Sequence, residues 1–85
     1  MTPTELARSR ALAEVVAEIA QARAQHAPMR GAHEGYAVLL EEVDELWAEV
    51  KDRRRDLSAM PRKACQVAAM VLCFMAEVCP VEGAQ

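Results

Sequence analysis

Between Tyr36 and Lys51 the chain carries carboxylates at Glu41, Glu42, Asp44, Glu45 and Glu49. On a helix, Glu42, Glu45 and Glu49 fall within an arc of about 60°, because residues three and seven apart share a face. Like charges held so close repel one another. Such a stripe either points into water or is held together by a cation, and hard divalent ions such as Mg²⁺ take oxygen ligands of this kind. Glu42, Glu45 and Glu49 are the three carboxylates that would share such a cation. Spacing alone does not choose between a solvated face and a metal site. The second charged region is basic: Lys51, Arg53, Arg54, Arg55, Arg62 and Lys63 gather six of the ten cations around one joint. The first four sit where a helix ends, and there cations meet the negative end of the dipole and the last free carbonyls. Arg62 and Lys63, in the first turn of the next helix, are candidate phosphate contacts or members of a solvated basic loop. His33 is a candidate contact to a base or phosphate, or a polar contact at a helix start.

Three helices have to position these groups. Thr2-Pro3-Thr4-Glu5 offers an N-cap, a proline in the first turn and a capping-box glutamate, and no Gly or Pro follows until Pro28. The first helix is predicted over 3–26, with Leu12, Val15, Val16 and Ile19 at helical spacing toward the core. Pro28, Gly31 and Gly35 mark a joint. A second helix over 33–55 carries an apolar stripe of Tyr36, Leu39, Leu40, Val43, Leu46, Trp47 and Val50, so Trp47 is expected to pack in the core rather than stack on a base. After Asp56-Leu57-Ser58, with Ser58 as N-cap and Pro61 in the first turn, a third helix is predicted over 59–79 and ends at Pro80. A short joint makes helices two and three antiparallel, which brings Lys63 or Arg62 within reach of the acidic face.

From Ala64 to Val78 the third helix has only two polar residues, Gln66 and Glu77, so it has no solvent-facing stripe and must be surrounded. A chain of 85 residues is one domain with a small core. Two helices of the same chain can cover only part of the third, so a homo-oligomer, dimer or tetramer, is expected with the third helix near the interface. The apolar run is too short for a membrane span and includes a glutamine. Alanine abundance and only three aromatic residues favour packed helices over an all-β fold. A net charge of -3 gives no general attraction to nucleic acid. Cys65, Cys73 and Cys79 lack a CxxC pair and are expected as buried free thiols, and with no secretory signal at the N-terminus the expected location is the cytoplasm.

The run His33-Glu34-Gly35-Tyr36-Ala37-Val38-Leu39-Leu40-Glu41-Glu42-Val43-Asp44-Glu45-Leu46-Trp47 resembles the first metal-binding helix of the MazG-like nucleotide pyrophosphohydrolases. That family is marked by a helix with ExxE and a later helix with ExxD. Glu42-Val43-Asp44-Glu45 matches the first half, and Gln66-Val67-Ala68-Ala69-Met70 is similar to divergent members. The resemblance covers about half the chain. It implies one MazG-like helical domain over 1–85, four-helix-bundle cores formed by oligomerisation that bind Mg²⁺ and a nucleoside triphosphate, and Glu42 and Glu45 as metal ligands and catalytic residues with Glu49 as a third ligand or base. It also implies release of pyrophosphate by water attacking the α-phosphorus. The second half of the signature departs: where the family places ExxD, this chain has Lys63-Ala64-Cys65-Gln66. A protonated ammonium cannot ligate Mg²⁺ and repels it. Three readings follow: a non-catalytic or weakly active nucleotide-binding descendant, an active pyrophosphohydrolase, and a structural or partner-binding helical oligomer.

Overall fold

The computed structural model describes residues 1–54 and 57–79. The fold is all-α, with helices α1 (Pro3–Gln25), α2 (Ala32–Lys51) and α3 (Ala59–Glu77), and no strand occurs among the described residues. No helix among these residues is long and apolar enough to cross a membrane.

The start of α1 is a capping box. Thr2 Oγ1 accepts the Glu5 N–H at 3.1 Å, and the Glu5 carboxylate accepts the Thr2 N–H at 3.4 Å. The end of α2 differs from the predicted 55, since the helix stops at Lys51. Its cause is local: Asp52 is extended, and its carboxylate accepts the Arg54 N–H at 2.9 Å, a turn that competes with continuing the helix. The expected helical end at Arg55, the joint residue Asp56 and the stop at Pro80 lie outside the described residues.

The central helix is α3. It packs against both others, whereas no Cα of α1 comes within 8 Å of one in α2. The molecule has extents of 45 × 33 × 21 Å. Its core is small: Val15, Met29, Ala69, Met70 and Cys73 are buried, with Ile19, Val38, Leu39 and Phe74 packed around them. Gly35 lets α2 approach α3 closely, because a Cβ there would stand 2.8 Å from Phe74 Cδ2. At the other edge the Glu77 carboxylate accepts hydrogen bonds from Arg23 Nε and Nη2 and, at 2.9 Å, from the Met29 backbone N–H. One side chain therefore ties the end of α1 and the following linker to the end of α3.

Many large apolar side chains stay exposed, and this corrects several core expectations. Trp47 is 56% exposed, with Lys51 Nζ over its ring at 5.5 Å from the centroid. The α2 stripe splits. Leu39 and Leu46 are half-buried, while Tyr36, Leu40, Val43, Trp47 and Val50 are exposed. In α1 only Val15 is buried and Ile19 half-buried; Leu12 and Val16 are exposed. Helix α3 is not surrounded within the subunit, since Val71, Leu72 and Met75 are exposed, and Met70 is spent on the internal core. Of the three free thiols Cys73 alone is buried, Cys65 being intermediate and Cys79 exposed.

Candidate functional site

Helices α2 and α3 run antiparallel: Gly35 meets Phe74 at one end, and Glu45 meets Lys63 at the other. Lys63 Nζ lies 3.5 Å from Glu45 Oε2, with most of the lysine side chain covered and half of the glutamate exposed. The ammonium thus reaches the ExxE stripe from the helix where the second acidic pair would stand.

One turn before Glu45, Glu42 is half-buried, and its Oε2 is enclosed with no hydrogen-bond partner. The same holds for Gln66 Oε1 on α3, so two enclosed acceptors belong to the two elements that carry the motif and its altered counterpart. Burial pushes the Glu42 carboxyl above the ordinary carboxylate range, and the close, like-charged Glu45 carboxyl adds to the shift. Lys63 opposes it and Glu18 of α1 reinforces it.

The remaining sequence candidates are placed unevenly. Glu49 is half-buried nearer the end of α2, and His33 is exposed on its first turn. Among the described residues no three His, Cys, Asp or Glu side chains converge as a metal-holding group. Arg62 lines a groove of about 640 Å³ between α1 and α2, floored by Gln66 and Met70 of α3. Glu18, Glu34, Glu41 and Glu42 also line it, as do Arg23, His26 and Arg62, and Val38, Met29 and Met70 supply apolar wall. Arg30, just before α2, neutralises Glu34 of its first turn at 2.8 Å, and Arg23 is held by Glu77.

The donor set fits Mg²⁺ poorly. Two carboxylates from one helix supply oxygens, and Gln66 supplies an amide oxygen, but Lys63 already places a positive charge on Glu45. A divalent ion entering here would have to displace or face that ammonium.

Two residues escaped the sequence reading. Glu18 belongs to α1 and comes near Glu42 only through the tertiary fold, which no local spacing reveals. Glu77 was visible as the one acid in the later part of an apolar helix, and a lone half-buried carboxylate needs a partner. That signal does not say that the partner is Arg23.

No protein-family model, curated protein or solved structure matches this chain.

Proposed function

We propose that this chain is a MazG-like helical protein that has lost the second metal-binding motif and acts as a non-catalytic or weakly active nucleotide-binding module, self-associated into four-helix-bundle cores. The observation that carries this reading is the Lys63–Glu45 ion pair on the ExxE face. The ammonium offsets the repulsion among the glutamates, a role that Mg²⁺ has in the family the chain resembles. Glu42, Glu45 and Glu49 then serve as a charge-balanced remnant rather than a working ligand set.

The groove supports the nucleotide part of the reading. Its volume lies within the range of small-molecule sites, with apolar wall for a base and Arg62 for a phosphate. The four groove acids oppose a polyanion, so affinity for a triphosphate is weak. A second reading, an active Mg²⁺-dependent pyrophosphohydrolase, draws support from the intact Glu42-Val43-Asp44-Glu45 motif.

The test is a survey of the common nucleoside triphosphates with Mg²⁺ or Mn²⁺, on wild type and Glu45→Gln, following binding and the release of pyrophosphate and phosphate. Binding that survives chelation of the metal, with no release, is the expected result. Pyrophosphate release abolished by Glu45→Gln moves the assignment to the enzyme. Failure to bind any nucleotide leaves a structural or partner-binding oligomer.

A further inference from the structure

We propose that the trough between α1 and α2 is the docking site for a short basic amphipathic helix of another protein. This goes beyond the nucleotide reading and assigns the groove a different kind of occupant.

Helices α1 and α2 both pack on α3 yet stay apart, with no Cα of one within 8 Å of the other. The hollow between them does not end at the groove of about 640 Å³. A second hollow of about 530 Å³ continues it toward the start of α3, and Glu18, Gln21 and Arg62 line both. On α1, Glu14, Glu18, Gln21 and Gln25 turn to the trough in steps of four, three and four residues. One straight face of the helix therefore borders the trough for three turns, about 16 Å. On α3, Arg62, Gln66 and Met70 advance beneath it in steps of four. A trough of this length, bordered by two helices that do not meet, has the shape that a helix of about eleven residues fills.

Its floor is apolar, with Met29 and Met70 buried and Val38 half-buried along it. Its walls are acidic. Glu34 is already paired with Arg30, and Arg23 with Glu77. Glu14 and Glu18 on one wall and Glu41 and Glu42 on the other have no ion-pair partner among the described residues, and Arg62 and His26 are the basic side chains left to face them. The repulsion crosses the trough, since Glu18 of α1 helps to hold the Glu42 carboxyl of α2 above its ordinary range. Glu42 Oε2 and Gln66 Oε1 add two enclosed acceptors without a donor, so the lining is rich in acceptors and short of positive charge.

A helix with an apolar ridge and lysine or arginine on both flanks matches floor and walls together. The ridge covers Met29, Val38 and Met70, and the flanks relieve the repulsion between the walls. A polyanion meets the same acids as repulsion. A lipid surface is flat and does not enter a concave trough.

The test uses the full chain and a fluorescein-labelled synthetic peptide of about 14 residues, with leucines at helical spacing on one face and lysines on both flanks. One control peptide has the same composition in scrambled order, and another has glutamate in place of lysine. Fluorescence anisotropy is expected to show the patterned lysine peptide binding about tenfold more tightly than either control, with affinity falling as salt rises. Glu18→Gln and Glu41→Gln, on opposite walls, are each expected to weaken binding about threefold, while Asp44→Asn, outside the trough, leaves it unchanged. Should one wall variant unfold by circular dichroism, the other still decides. In a Cys79→Ser protein, bound peptide is expected to slow alkylation of the half-buried Cys65, which lines the trough. Equal binding of the scrambled peptide, or equal loss with Asp44→Asn, overturns the proposal in favour of general charge attraction. Spermidine binding as tightly as the patterned peptide rejects a helix as the occupant, and no binding up to millimolar peptide rejects the site itself.

Discussion

At the scale of single residues, the molecule turns on how four side chains share charge. Glu42 and Glu45 belong to one motif, Lys63 pairs with Glu45, and Gln66 adds a neutral enclosed acceptor. The carboxylate stripe and a lysine within its reach were both legible in the sequence, since helical spacing fixes which acids share a face. The contribution of Glu18 was not legible, because α1 meets the groove only after the chain folds back on α3. The raised Glu42 pKa, set first by burial and next by Glu45, has a definite sign. The folded state prefers protonated Glu42, so its favourable contribution is complete below the ordinary carboxylate range and is lost as pH rises through the raised value. Glu42→Gln keeps a neutral group of similar shape. It is expected to melt a few degrees above wild type at neutral and mildly alkaline pH, with the gap closing toward about pH 4. Thermal unfolding across that range checks it; a gap independent of pH would show that Glu42 is not the titrating group.

At the scale of elements, α2 has three jobs on three faces. One face carries the glutamates, one packs on α3, and one remains bare. The sequence stripe from Tyr36 to Val50 merged the last two, because hydrophobic periodicity marks apolar positions without saying what covers them. The helix type and number were legible from caps and breakers. The end of α2 was not, because the Asp52 turn outcompeted a basic run that looked like a continued helix. Contact between α2 and α3 depends on Gly35, where an added Cβ would meet Phe74 Cδ2 at 2.8 Å and Met29 Sδ at 3.1 Å. Gly35→Ala gains helix propensity of up to about 1 kcal/mol and forces a well-packed ring to move, at a cost of about 1 to 3 kcal/mol. The net expectation is a loss near 1 kcal/mol in urea unfolding, reduced when Phe74→Leu is combined with it. A stabilised Gly35→Ala would mean that α2 and α3 have room to spare.

At the scale of the whole molecule, a charged groove lies between α1 and α2, and large apolar side chains stay bare elsewhere on α2 and α3. The need for further packing was legible in the nearly unbroken apolar run of α3, but its location was not: Met70 serves the internal core, and the bare surface extends over α2. The groove side is where the functional reading stands or falls. If Lys63 has taken the place of a metal, the wild-type protein has little use for Mg²⁺, and returning acids at the two altered positions should restore a cradle of oxygen ligands from both helices. Titration calorimetry with Mg²⁺ on wild type and on Lys63→Glu combined with Gln66→Asp tests this most directly. The account predicts weak or undetectable binding by the wild type and at least tenfold tighter binding by the double variant. Tight Mg²⁺ binding by the unmodified protein would contradict it and favour an active pyrophosphohydrolase.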